Sequence, residues 1–316
     1  MNITAAKPRM AARAASGYLI CVAATVFWSS TAVFIRYLTE TYRLPPLVLA
    51  FWRDLMLAVS LGLVLAVFQP AILRVERRFW RFLFLYGLEL SLFNSLWTVS
   101  VALNGAAVST VLAYSSAAFT AVLGWWLLRE RLSWVKITAV TLSLLGCVFV
   151  AGAYDIDLWR ANPVGIITGL ASGIAFAVYS LLGKSASKQG INPWTSLVYT
   201  FASAVPFLLV YNLAYRWLPH GVASMELFWL GDALAGWLVL AVLAVGPTVG
   251  GYGLYTVSLA YLPASVANLV ATLEPVMTAV LAFLLLGERF TGPQWVGSAL
   301  IITGVIILRV RGETSG

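Results

Sequence analysis

The chain has 316 residues, 61% of them hydrophobic and only 10% charged, with a mean hydropathy of +0.91 and a formal net charge of +8. Soluble domains are about 25% charged, so this composition excludes a domain that coats itself for water and makes the lipid bilayer the solvent. The basic residues sit in short loops between apolar runs rather than on one face, which points to membrane topology and away from a nucleic-acid partner. A helical span needs about 20 mainly apolar residues, and the chain supplies ten, near 17–37, 45–68, 79–103, 105–128, 133–152, 163–184, 193–216, 233–261, 263–286 and 292–310. Residues 1–16 form an N-terminal tail with Lys7, Arg9 and Arg13. The run from Gly17 ends in Arg36 with no small-residue cleavage site, so it reads as a retained span and not a removed signal peptide. Cys21 and Cys147 lie in apolar runs, make no metal spacing, and read as small buried hydrophobes.

An even number of spans places both termini on one side. With that side taken as the cytoplasm, fourteen Lys and Arg fall inside, five (Arg36, Arg43, Arg160, Arg216 and Arg289) fall outside, and Arg53 lies within a span. The bias predicts cytoplasmic termini. An offset of 158 residues lays Thr98–Val150 on Thr256–Leu308 with 17 identities in 53 positions and no gap. Earlier in each half the offset is 148, so that Gly17 meets Gly165, Trp28 meets Phe176 and Arg36 meets Lys184. The expected organisation is a first five-helix repeat over 17–152, an external linker over 153–162, a second repeat over 163–311 and a tail over 312–316. Five spans per repeat invert the second copy in the membrane. The predicted fold is therefore an all-α membrane protein of ten transmembrane helices in two inverted five-helix repeats, an architecture of secondary transporters.

Each half resembles an EamA-type domain of the drug/metabolite transporter superfamily. The second half carries LEPVMTAVLAFLLLGERFTGPQWVGSALIITGVIIL, and the first carries VFWSSTAVFIRYL, AFWRDLM and LLRERLSWVKITAVTLSLLG. The resemblance covers about Gly17 to Arg311. It implies export of amino acids, often aromatic ones, or of other small metabolites. It also implies a central cavity among spans one, three, four, six, eight and nine, with Trp28 as the span-one tryptophan and spans five and ten packed outside. The halves differ where Ser116–Ala117 faces Glu274–Pro275.

Glu274 sits near the middle of span nine, where translocon scales put a charge at roughly +2.5 to +3.5 kcal/mol. Such an acid is protonated, is paired, or faces a watery cavity. Pro275 lacks an N–H and crowds the carbonyl of Ala271, and a freed carbonyl at membrane depth fits a cavity wall. The alternative is a glutamate hydrogen-bonded across a helix interface beside a packing kink. Glu89 is the second buried acid. Tyr86, Glu89 or Leu90, Phe93 and Trp97 share a helical face, with Asn94 displaced by one position. An acid among rings suits an ammonium, while pairing of Glu89 with Arg53 is the plainer reading. Arg53 is taken as structural and Glu89 as cavity-facing. Arg53 and Asp54, adjacent on a helix, are not expected to share a face. In GPTVGGYGLY of span eight, Tyr252 and Tyr255 occupy the repeat positions of Asn94 and Trp97, and its glycines and proline suggest both a broken helix and close packing. Gly165, Gly169 and Gly173 read as a packing seam. Tyr114, Ser116, Tyr179 and Asn268 complete the candidate substrate-binding set. Glu130–Arg131 and Glu288–Arg289 end spans four and nine as capping or gating groups.

The chain has no HExxH, GxSxG or paired-cysteine site, and its one histidine, His220, falls in an outer loop, so no catalytic constellation, metal site or cofactor is implied. The expected partners are the bilayer and a small-molecule substrate, with protons as an open alternative at Glu89 and Glu274, since the sequence does not reveal a coupling ion. The reading is a carrier exporting small amphipathic metabolites, amino acids foremost, by alternating access. A proton-coupled exporter of drugs or organic cations is the alternative, and an intramembrane enzyme the remote one.

Overall fold

The computed structural model describes residues 3–159, 163–218, 220–286 and 291–311. Nine segments within them are long and apolar enough to cross a membrane: α1 (Ala14–Thr41), α2 (Pro46–Phe68), α3 (Arg77–Leu103), α4 (Val108–Leu128), α6 (Pro163–Lys188), α7 (Pro193–Leu213), α8 (Leu234–Tyr261), α9 (Ala264–Leu281) and α10 (Gly292–Arg311). The tenth, α5 (Trp134–Val150), is a shorter apolar helix. Its 17 residues rise about 25 Å, less than the roughly 30 Å of hydrocarbon, and it lies along α10. This is an integral membrane protein of two inverted five-helix repeats. Large apolar side chains such as Leu63, Phe68, Trp126, Ile167 and Leu284 are exposed as a lipid-facing surface requires. Trp80, Trp134, Trp217 and Trp295 stand exposed near helix ends, where an interfacial aromatic belt forms.

The helices begin and end for local reasons. Asn192 caps α7 by accepting from the Trp194 and Thr195 amides at 2.9 and 3.4 Å, with Pro193 at the first turn. Ser133 caps α5 through the Lys136 amide. Between α3 and α4 the backbone stays helical from Trp80 to Tyr114. A straight helix separates residues nine apart by about 13.5 Å, yet Ser100 Oγ donates to Ser109 Oγ at 2.8 Å. The chain therefore reverses between them, where the sequence places a short connection at Asn104–Gly105. Opposite ends of the bundle are tied separately. On one, the Tyr199 hydroxyl of α7 donates to the Leu73 carbonyl of the α2–α3 loop. On the other, the Leu47 amide of α2 donates to Val222 of the α7–α8 loop.

The repeat is visible as contacts between counterparts. The Tyr252 hydroxyl donates to Asn94 Oδ1 at 3.2 Å, and the rings of Trp28 and Phe176 meet at 5.9 Å. Each pair consists of equivalent positions in the two halves, at offsets 158 and 148, so the pseudo-twofold axis runs between them. The α5–α10 crossing obeys the same symmetry. A methyl on Gly146 would lie 2.6 Å from the Gly297 carbonyl, and one on Gly304 would lie 2.8 Å from the Ala139 carbonyl. Those two contacts interchange under the 158-residue offset, and small residues let the backbones touch.

Candidate functional site

Four membrane helices are interrupted near the bundle centre: α1 at Ser29–Ser30, α4 at Ser115, α8 over Ala244–Thr248 and α9 at Thr272–Leu273. The breaks in α4 and α9 fall at counterpart positions. In α8 the break is a π-turn around Pro247, whose ring displaces the bond to the Leu243 carbonyl. The Thr248 hydroxyl takes over that carbonyl at 2.8 Å. In α9, Glu274 and Pro275 open the second helical segment, as the acid–proline pair implies.

The interrupted helices, with α2, α3 and α6, surround a cavity of about 60 Å³, room for several waters. Its wall is formed by Trp28 and Thr31 of α1, Arg53 of α2, Phe93 and Trp97 of α3, Thr110, Ala113 and Tyr114 of α4, Phe176 of α6, Thr248 and Tyr252 of α8, and Glu274 of α9. Thr31, Arg53, Trp97 and Thr110 belong to the helix halves away from the N-terminus, so the cavity lies on that side of the bundle centre. The Tyr114 hydroxyl donates to Glu274 Oε2. Trp28 rests against Tyr252 and Tyr255 at 5.2 and 5.1 Å between ring centroids. This approach depends on Gly251, where a methyl would lie 2.3 Å from the indole. The glycines of GPTVGGYGLY thus notch α8 for rings: Gly250 for Phe27, Gly251 for Trp28 and Gly253 for Trp194.

Of the residues expected to bind substrate, Trp28, Trp97, Tyr114, Tyr252 and Glu274 lie on the cavity wall. Ser116, Tyr179, Tyr255 and Asn268 do not. They form a sealed layer toward the N-terminal side, each at most 1% exposed. Ser116 Oγ donates to Asn268 Oδ1 at 2.9 Å, Asn268 Nδ2 donates to Ser180 Oγ at 3.0 Å, and Ser180 shares a 2.7 Å bond with the Tyr255 hydroxyl. Tyr86 joins this layer through its ring, 5.0 Å from that of Tyr179.

Arg53, Glu89 and Asn94 stand in other surroundings than the sequence suggests. Arg53, read as structural, is on the cavity wall. Its partner is Asp54 at 3.3 Å and not Glu89, because the long arginine stem folds back over its neighbour although the two Cβ atoms diverge. Glu89, read as cavity-facing, is absent from the wall, and both its carboxyl oxygens are buried without a hydrogen-bond partner among the described residues. Asn94 also lies off the wall and links Asp54 Oδ2, at 2.7 Å, to the Tyr252 hydroxyl. Thr31, Phe93, Thr110, Ala113, Phe176 and Thr248 complete the wall without having been singled out as site residues. The repeat register carried a signal for two of them, since Phe176 is the counterpart of Trp28 and Thr110 that of Asn268. The seam of Gly169 and Gly173 packs against Ser100, Leu112 and Ser115, as expected. Cys21 and Cys147 are free and buried.

Glu130 is a cap. Its carboxylate accepts from the Ala264 amide at 2.7 Å, from the Ser265 hydroxyl and from the Ser265 amide at 3.4 Å, all at the N-terminus of α9. Lys136 Nζ stands 3.6 Å away and donates to Ser265 Oγ at 2.9 Å. Glu288 and Arg289 lie outside the described residues.

Comparison with known proteins settles the family. The EamA-like transporter family matches residues 15–152 and 163–310. The chain belongs to the EamA-like transporter family. This EamA-like transporter is 28% identical to the Uncharacterized transporter YwfM of Bacillus subtilis over 294 residues, 92% of each chain. It is 28% identical to the Threonine/homoserine exporter RhtA of Salmonella typhimurium over 264 residues, 82% of each. A solved crystal structure superposes on it with a TM-score of 0.71 at 18% identity, covering 95% of this chain and 99% of the other, which supports the fold alone. The protein is thus a membrane transporter of small molecules, and its helices, interrupted at the centre around a small cavity, are the parts such a transporter needs.

Proposed function

We propose that this EamA-like transporter exports small amphipathic metabolites, amino acids foremost, across the bacterial inner membrane by alternating access, with both termini cytoplasmic. The observation that carries the reading is the cavity itself. Its lining includes a carboxyl group, Glu274, a guanidinium, Arg53, and the rings of Trp28, Phe93, Trp97, Phe176 and Tyr252. Charged groups of both signs among rings suit a molecule with polar ends and an apolar body. Similarity to a threonine/homoserine exporter supports the amino-acid class. The distribution of Lys and Arg supports the topology, which puts the cavity on the external side and the sealed layer on the cytoplasmic side. Glu274 and Glu89 are the acids available for proton exchange.

A second reading, export of organic cations, draws on Glu274 beside aromatic rings. Counterflow in proteoliposomes separates the two. Vesicles preloaded with L-threonine or L-phenylalanine should accumulate the labelled amino acid, and Glu274→Gln should reduce that accumulation at least tenfold. Accumulation of tetraphenylphosphonium with no amino-acid counterflow would sink the amino-acid reading.

A further inference from the structure

We infer that Arg53 is a substrate-carboxylate site, and that the cavity therefore selects zwitterions over cations. The inference rests on the amino-acid reading above and adds the group that enforces it. Arg53 is 2% exposed, sits on the cavity wall, and engages one protein group, Asp54 Oδ1, through Nε at 3.3 Å. A guanidinium has five N–H donors. Here Nη2 is buried with no hydrogen-bond partner among the described residues. Buried donors are normally satisfied, and Arg53, a residue of the cavity wall, keeps one unmet. The planar fork of arginine matches a carboxylate through two parallel bonds.

The surroundings hold Arg53 and do not quench it. Asp54 Oδ2 accepts from Asn94 Nδ2 at 2.7 Å, and Asn94 Oδ1 accepts from the Tyr252 hydroxyl at 3.2 Å. The network fixes the carboxylate of Asp54, whose hydrogen bond to the guanidinium runs through Nε. An arginine whose task was only to neutralise Asp54 would present its fork to that carboxylate. Glu274, on the same cavity, supplies the opposite sign for an ammonium. Arg53 belongs to the first repeat and Glu274 to the second, so a bound zwitterion bridges the two bodies that must rock past each other. A simple amine, lacking the carboxylate, would engage the second repeat and leave Nη2 orphaned.

The test uses the full-length protein in proteoliposomes, with L-threonine and L-phenylalanine as probes beside their decarboxylated counterparts, 1-amino-2-propanol and 2-phenylethylamine. Wild type should move each amino acid at least tenfold faster than its amine. Arg53→Gln should lose at least tenfold in amino-acid counterflow, and Arg53→Lys should recover part of it with a raised half-saturation concentration. Because Arg53→Gln strands Asp54, the pair variant Arg53→Gln/Asp54→Asn is measured as well, with thermal unfolding confirming that it folds. Amino-acid counterflow at wild-type rate in that folded pair variant would overturn the assignment while leaving the amino-acid reading intact. Equal rates for amino acid and amine in wild type would also overturn it alone. Movement of the amines with no movement of the amino acids would overturn both.

Discussion

Ser116 Oγ donates to Asn268 Oδ1 at 2.9 Å in the sealed layer, while the counterparts of these two residues, Glu274 and Thr110, line the cavity. One interaction thus occurs in two forms, closed in one half and open in the other. Under the alternating access proposed above, these forms exchange. Ser116→Ala leaves the Asn268 oxygen without this donor in a dry site, at a cost to the closed layer of about 1–3 kcal/mol. A shift of 1.4 kcal/mol is tenfold in population. With Cys21 and Cys147 replaced by serine and Ala113→Cys placed on the wall, labelling by an impermeant thiol reagent should become about tenfold faster from the N-terminal side. Unaltered labelling on both sides would contradict the exchange.

Glu130 acts at the membrane surface on that same closed side. It gathers the first amides of α9 and Lys136, each side chain 9% exposed, and its place is made by Gly124, where a methyl would lie 3.0 Å from Oε2. Loss of a cap costs roughly 0.5–2 kcal/mol. Glu130→Ala should therefore loosen the closed face more than Glu130→Gln, which keeps an acceptor. Differential scanning fluorimetry and the thiol assay above should rank the variants wild type, Gln, Ala. A more thermostable Ala variant would contradict this role.

Trp28 reaches the axis only because residue 251 has no side chain. Gly251→Ala would set a methyl 2.3 Å from the indole, which Tyr252, Tyr255 and Phe176 hemmed in prevents from stepping aside. Overpacking of this kind costs about 1–3 kcal/mol, and counterflow should fall with stability. Trp28→Phe combined with Gly251→Ala should restore part of the loss, giving a coupling energy in a double-mutant cycle. Strict additivity would show that the two residues do not act through this contact.

Arg129 ends α4 with φ +57°, a left-handed conformation that favours glycine. Its counterpart in the sequence is Gly287. Arg129→Gly should stabilise the protein by about 1 kcal/mol, raising the unfolding midpoint in detergent. A lower midpoint would mean that the Arg129 side chain contributes more than the strained backbone costs.

Composition and apolar run length determined the solvent and the spans, and self-similarity at a fixed offset determined the inverted duplication. Hydrocarbon accepts only long apolar helices with their backbone bonds made internally, and that demand is written locally along the chain. The acid–proline break in α9 and the notched α8 were equally legible, because proline and glycine act on their own turn of helix. The sequence could not say which faces look inward, since these helices are apolar on every side and periodicity then loses its meaning. Nor could it decide that Arg53 meets Asp54 rather than Glu89, or that Thr110 and Glu274 border the cavity while Asn268 and Ser116 are shut. Those outcomes rest on contacts between residues up to 160 positions apart. Two near-equivalent halves offer the same pattern twice, and only their packing in three dimensions makes one open and the other closed.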